Sequence, residues 1–577
     1  MSRPDWIVLI LTLAGIIAYG LYKSRTSKDL DGYFLSNRSV PWYIVLMSIM
    51  GTQASAVTFL SAPGQAYTDG MRFVQYYFGL PLAMVVLCIS FVPVFHKLRI
   101  YTAYEYLEKR FDLKTRTLTS FLFLLQRGLS TGISIAAPSI ILSSLLGWDL
   151  FWTNIFMGGL LIIYTVTGGA KAVAYTQQLQ LIIIFGGMFL AAYMVVHLLP
   201  ARVGFFDALR VSGKAGKLNV ITTGVSAHGF DWNNQYNLLS GIIGGFFLAL
   251  SYFGTDQSQV GRYLTAKSIS ESRLGLLING LVKVPMQFLI LLIGVLVFAF
   301  YQFNREPVFF NQSQITRLAG SKYKDSLVVL RHDYEMTQAG KVQAMGWMAT
   351  NADQKGQEVY KEAESRLQSA ETQKIQSRAT LKRWLSDKEV GGDPNDTNYI
   401  FLRFVVDNLP RGLIGLLIAV IFLAAWGSIA AALNSLASCT IVDFHKRFSK
   451  RTLSVEKEYQ LSKRYTVLWG FFCVLVAQLA YNIGNSLIEA VNVLGSLFYG
   501  VILGIFLVAF YLKKVGGGAV FISALIIEAM VLAIHVLNQR GVLHLSFLWL
   551  NVVGAVGVVL LSAGIQGIRG VKEGSWL

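Results

Sequence analysis

Apolar runs of about twenty residues recur thirteen times along this 577-residue chain, and no other feature constrains its fold as tightly. A helical run of that length matches the hydrocarbon thickness of a bilayer. Inside hydrocarbon the backbone has no water to bond, so each run must satisfy its own amides and carbonyls, and a helix does so. The runs fall at about 5–22, 41–62, 75–96, 118–141, 149–168, 177–199, 237–256, 274–303, 410–440, 465–482, 486–512, 517–537 and 543–565. Charged residues make up 14% of the chain, well below the roughly 25% of a soluble domain. The chain reads as an all-α polytopic protein of about thirteen transmembrane helices, integral to a cell membrane (inner or plasma).

Charge sets the orientation. The first run, Trp6 to Tyr22, is followed by Lys23, Arg25 and Lys28, the reverse of a cleavable signal. An outside N-terminus and a cytoplasmic C-terminus put 25 Lys and Arg in the inner segments and seven in the short outer ones. That is the asymmetry that retained cytoplasmic basic residues produce. It also accounts for the formal net charge of +18 without a nucleic-acid partner.

The expected division is a first helix and linker at 1–40, a core at 41–303, and a polar extracytoplasmic insert at 304–405. The rest of the core follows at 406–512, and C-terminal helices with a short tail at 513–577. The insert carries 15 basic and 13 acidic residues. Within it, Val359 to Asp387 reads as one or two exposed helices, ending at the turn signal Gly391-Gly392-Asp393-Pro394. It is either a surface for a protein partner or a tolerated helical insertion.

No enzyme chemistry is visible. Cys88, Cys439 and Cys473 all lie in apolar runs, and the seven histidines have no metal-ligand spacing with cysteine or carboxylate. No P-loop is present, which argues against ATP-driven transport.

The informative residues are the polar ones inside the runs. Ala424 to Ser435 (AAWGSIAAALNS) and Met47 to Thr58 (MSIMGTQASAVT) crowd small and hydroxyl residues at membrane depth. Such stretches suit a cavity wall or a broken helix whose freed carbonyls face a cation, and they equally suit close helix packing. Lys283, Arg127 and Glu489 are ionisable and lie in runs, where charges face the bundle interior or water. Lys283 is a candidate solute contact or a structural partner. Arg127 is a candidate contact for an anion, or it snorkels or pairs. Glu489 stands near the outer start of its run and reads equally as interfacial. Tyr252 closes the seventh run, while Asp256 and Gln257 read as the start of a cytoplasmic loop.

Taken in order, several segments resemble the sodium/solute symporter family. They are Asp31-Gly32-Tyr33-Phe34-Leu35-Ser36-Asn37-Arg38, Thr131 to Pro138 (TGISIAAP) with Gly168 to Val173 (GGAKAV), Asp256 to Leu264 (DQSQVGRYL), and Asn434-Ser435-Leu436-Ala437. The second pair is most similar to the iodide, multivitamin and monocarboxylate branch. The resemblance covers nearly the whole chain outside 304–405. It implies an inverted pair of five-helix repeats, alternating access around a midplane site, and coupling to Na+.

Carried over, the resemblance assigns sodium to the carbonyls of Gly51, Ala54 and Ala424 and to the positions Gly427 and Ser428. It assigns solute to Gln53, Thr58, Arg127, Tyr252 and Lys283. Relatives usually carry two adjacent hydroxyl residues where this chain has Gly427 and Ser428. One oxygen is therefore missing, and glycine is expected to leave room for a water in its place. A second sodium site found in some relatives needs an acid where Gln177 stands and serines where Ala430 and Ala431 stand, so it is expected to be absent. The expected function is symport of a small polar or anionic solute with at most one sodium ion per cycle. The alternatives are a proton-coupled or uncoupled facilitator, or a transporter-like sensor or scaffold.

Overall fold

The computed structural model describes residues 1–23, 29–226, 229–351, 358–449, 454–479 and 487–569. Arg25, Lys28, Lys450, Arg451 and Lys572, the end of the tenth run and the first residue of the eleventh lie outside the described residues.

The described chain is helical, apart from a short pairing of Val225–Ser226 with Gly229–Phe230. The helices used below are α1 (Arg3–Lys23), α2 (Trp42–Gln53), α3 (Ala56–Asp69), α4 (Met71–Leu98), α5 (Leu113–Leu146) and α6 (Leu150–His197). Next come α7 (Ser240–Thr255), α8 (Gln257–Tyr263), α9 (Ile269–Phe303), α10 (Lys324–Thr350) and α11 (Glu358–Leu385). The last five are α12 (Leu413–Cys439), α13 (Val455–Leu479), α14 (Leu487–Tyr511), α15 (Gly517–Gln539) and α16 (Phe547–Arg569). Among the described residues nine helices are long and apolar enough to cross a membrane, and one bent pair makes a tenth.

Burial ranks these helices. The span built on α12 has 89% of its most apolar window buried, whereas the first span has 22%. A helix hydrophobic all round belongs in the middle of a bundle, and α12 is packed against α6, α5, α1 and α13. Small residues permit the approach. A Cβ on Gly415 would collide with Asp5 O of α1, whose carboxylate accepts from Gly412 N–H at 2.5 Å.

Helical hydrogen bonding runs unbroken from Leu150 to His197, through the two runs expected at 149–168 and 177–199. The segment is nevertheless not one straight rod. Tyr164 OH lies 2.7 Å from Thr176 Oγ1, twelve residues on. A straight helix would separate those backbones by about 18 Å, beyond the reach of the two side chains. The chain therefore folds back between them. The first half pairs with α13 (Gly158 on Val474, Gly470 on Ile162) and the second with α12 (Gly187 on Val420). The linker 97–117 is also more ordered than a loop, since Arg116 bonds both Glu108 and Asp443 at 2.6 Å.

The polar insert holds more structure than the sequence suggests. Besides α11 it contains the long helix α10, which packs on α11. Neither is simply exposed. Lys341 of α10 donates to Tyr301 O at the end of α9 (2.9 Å), and Glu306 lies 2.9 Å from Lys374. Arg378 binds both oxygens of Asp396 at 2.6 and 2.8 Å. Two residues beyond Asp396, Asn398 Oδ1 accepts from Ser61 Oγ of α3 at 2.8 Å and from Leu487 N–H of α14 at 3.3 Å.

Candidate functional site

The expected discontinuity is located between α2 and α3. The two helices diverge by 59°. Ser55 is extended (φ −79°, ψ 163°), and the hydrogen bonds rearrange around it. Ser55 N–H donates to Gln53 O and Thr58 N–H to Ser55 O, each at 2.9 Å. Those are the amides that would have closed helical turns on Gly51 O and Ala54 O. Both carbonyls thereby leave the helical ladder and become available as oxygen ligands.

The facing wall is α12. Ser428 Oγ donates to Ala424 O at 3.0 Å and Ala425 O at 3.2 Å, so its proton points into its own helix and its lone pairs remain free. Between the two walls stands Gln177 of α6. Its Oε1 accepts from Ser48 Oγ at 2.7 Å, and its Nε2 donates to Gly427 O at 2.9 Å and Thr52 Oγ1 at 3.1 Å. Gly51 and Gly427 both pack against its side chain. The room expected for a water above Gly427 is taken. A Cβ there would stand 2.7 Å from Gln180 Oε1 and 3.3 Å from Gln177 Cγ. Gly427 makes space for two glutamines rather than for a solvent ligand.

Beside this oxygen-rich junction lies a cavity of about 140 Å³. All five residues nominated for solute (Gln53, Thr58, Arg127, Tyr252 and Lys283) line it, together with Ser428. Gly51, Ala54, Ala424 and Gly427 stand outside the lining. Lys283 is 1% exposed, with its Nζ 5.6 Å from the centre of the Tyr77 ring. No described carboxylate is within ion-pair reach of it. Arg127 differs, because its Nη1 lies 3.6 Å from Asp256 Oδ2. The reading of Arg127 as a solute contact therefore acquires a competitor.

Asp256 and Gln257 are buried, not the start of an open loop. α7 stops at Thr255, and Asp256 caps α8 by accepting from Ser258 N–H at 2.8 Å. The same carboxylate accepts from Tyr499 OH at 2.8 Å, and Gln259 Nε2 donates to Tyr252 OH at 2.7 Å. This polar plug closes the cavity on the side of the α7–α8 junction. Glu489 is reached by Gln235 Nε2 at 3.2 Å and does not line the cavity.

Sequence reasoning missed Gln126, Ser130, Tyr76, Tyr77, Asn492 and Tyr499, all of which also line the cavity. Their signal was present: each is a polar or hydroxyl-bearing residue within an apolar run. No acidic side chain is part of the lining among the described residues. Nor does any cluster of His, Cys, Asp and Glu there suit a transition metal, so the oxygens at the helix break are the donor set for a hard cation.

Comparison with known proteins follows this geometry. The sequence profile of the sodium:solute symporter family matches residues 33–329 and 381–558. The chain belongs to the sodium:solute symporter family. The match leaves out 330–380, most of α10 and α11. Among curated relatives of this symporter, the sodium/sialic acid symporter SiaT of Proteus mirabilis is 26% identical, over 96% of this chain and 93% of its own. A putative sodium-dependent multivitamin transporter of Drosophila melanogaster is 25% identical, over 88% of this chain and 71% of its own. A solved structure of a Na+-coupled sialic acid symporter, substrate-bound and outward-open, superimposes with a TM-score of 0.73. It covers 98% of both chains at 24% identity, a likeness of fold. The symporter family comprises membrane transporters, not enzymes.

Proposed function

We propose that this protein couples the downhill entry of one sodium ion to uptake of a small anionic solute by alternating access. The observation that carries the reading is the helix break. It withdraws the amide partners of Gly51 O and Ala54 O in a span that also faces Ser428. Sodium is a hard cation and takes oxygen ligands, which carbonyls and a hydroxyl supply. The resemblance to sodium-coupled relatives assigns it to Gly51, Ala54, Ala424 and Ser428. The anionic preference is supported by Lys283, a buried cation without a carboxylate beside it. Burying such a charge is costly until an anion joins it. Relatives that carry sialic acid, itself an acid, agree with that sign.

In the proposed architecture thirteen helices span the membrane, with two inverted five-helix repeats, the N-terminus outside, the C-terminus cytoplasmic, and 304–405 outside. The solute sits among Gln53, Thr58, Lys283 and Tyr252, and the Arg127–Asp256–Tyr499 plug is the inner barrier that must open. Sodium binding at the break would set the angle between α2 and α3 and so bias that barrier. A second reading, a proton-coupled or uncoupled facilitator, draws on the crowding of Gly427 by Gln180, which removes one usual sodium ligand.

Uptake into proteoliposomes with sodium or potassium gradients at a fixed membrane potential separates the two. Ser428→Ala is expected to raise the half-saturating sodium concentration roughly tenfold, the equivalent of about one hydrogen-bond-sized interaction. Uptake indifferent to sodium in both proteins would favour the facilitator.

A further inference from the structure

The solute cavity has a hydrogen-bond polarity as well as a charge. On the α5 wall, Thr131 Oγ1 donates to Arg127 O at 2.6 Å, and Ser134 Oγ to Ser130 O at 2.9 Å. Across the cavity, Tyr76 OH donates to Asn492 Oδ1 at 3.1 Å and Tyr499 OH to Asp256 Oδ2 at 2.8 Å. A hydroxyl owns one proton and two lone pairs. Each of these four has committed its proton to the protein, so it offers an incoming molecule lone pairs. The positive charge comes from Lys283, since Arg127 already faces Asp256.

A ligand must meet both demands. Iodide or an alkyl carboxylate would answer the ammonium and leave the lone pairs without donors, and dehydrating them unpaired is costly. A neutral sugar would answer the lone pairs and leave Lys283 without a counter-charge. A molecule with one carboxylate and several hydroxyl groups answers both. On the reading of this cavity as the solute site, we infer that the solute is a hydroxylated carboxylate, such as a sugar acid or hydroxy acid. Plain monocarboxylates, halides and neutral sugars are excluded. The carboxylate pairs with Lys283, and the hydroxyl protons go to Thr131, Ser134 and the tyrosine oxygens.

The test uses the purified full chain and reads thermal stabilisation and half-saturating concentration in sodium buffer. Gluconate is set against hexanoate, which has the same carbon count without hydroxyls, and against glucose, which lacks the charge. Iodide, lactate and N-acetylneuraminate complete the set. Stabilisation by at least one of gluconate, lactate and N-acetylneuraminate is expected, with hexanoate, glucose and iodide inert. Equal stabilisation by hexanoate, glucose or iodide would overturn the inference, and so would silence from all three hydroxylated acids.

Lys283→Gln should raise the half-saturating concentration of the acid by at least roughly tenfold. Thr131→Val, an isosteric change that keeps the cavity shape, should narrow the preference for the hydroxylated acid over its deoxy counterpart. An unchanged preference counts against the assignment even if Lys283→Gln does not fold. Sodium against potassium without organic ligand provides the separate check on symport. If sodium stabilises the protein and no hydroxylated acid does, the ligand class falls while sodium coupling stands.

Discussion

Gln177 is the residue whose replacement says most about coupling. Its carboxamide joins α2, α6 and α12 through bonds of 2.7, 2.9 and 3.1 Å. Gln177→Leu removes all three. Thr52 keeps its donation to Ser48 O at 2.8 Å, and Gly427 O retains its place in the α12 helix. Ser48 Oγ, 1% exposed, loses its acceptor outright. One orphaned buried hydroxyl costs about 1–3 kcal/mol and two weakened acceptances about 0.5 kcal/mol each. The total is about 2–4 kcal/mol, part of it lost as preorganisation of the Gly51 and Ala54 carbonyls. The half-saturating sodium concentration should then rise at least tenfold, at about 1.4 kcal/mol per decade.

Gln177→Glu is the sharper variant. It puts a carboxylate oxygen where an N–H now meets Gly427 O and Thr52 Oγ1. Oxygen would face oxygen unless a proton or a cation enters, so sodium dependence should steepen from a Hill coefficient of about one towards two. Sodium titration of uptake in proteoliposomes measures both variants. Sodium curves for Gln177→Leu and Gln177→Glu that overlay the parent would refute the assignment of this amide as the strut of the cation site.

Three further outcomes follow from the insert and its strap. Glu306→Gln removes the carboxylate shared by Lys374, Lys341 and Arg378 at 2.9, 4.0 and 3.9 Å, leaving buried cations short of counter-charge; about 3–5 kcal/mol of local stability should go, read as faster hydrogen exchange in α10 and α11. Burial pushes the Asp393 carboxyl up to about 6 from its ordinary 3.8. A raised acid favours the folded insert below pH 4 and loses that advantage as pH climbs through 6, worth at most about 3 kcal/mol, so the insert should unfold more readily at pH 7 than at pH 4 on this account and Asp393→Asn should flatten that part of a hydrogen-exchange pH profile. Gly64→Ala drives a Cβ into Thr397 O, so it should displace the strap from α3 and lower uptake while leaving the sodium curve in place; a parent-like rate would show that the contact is not needed.

Much of the fold was legible because bilayer physics writes it in coarse letters. A run of twenty apolar residues needs no neighbour to be recognised, and the small residues at 47–58 marked a helix that could not stay whole. Pairing was not legible. Arg127 and Asp256 meet across 129 positions, and nothing local to either announces the other. α10 escaped notice for a different reason. Its buried face is Leu327, Tyr334, Gln338, Lys341 and Ala344. Two polar residues on that stripe erase the apolar period that reveals a packed helix. The glutamine between α2 and α12 could be read only as a missing acid. That its amide would reach three elements depended on their spacing in three dimensions.

Asn398 gives the insert a mechanical meaning. Its single side-chain oxygen holds Ser61 on one half of the broken helix and the first turn of α14, while Asp396, two residues away, is gripped by Arg378. Force applied to α11 is thus delivered to the helix end next to the cavity mouth without passing through lipid. An engineered binder that clamps α10 and α11 together would act as a brake on the transport cycle. It would do so without touching a residue that meets sodium or solute.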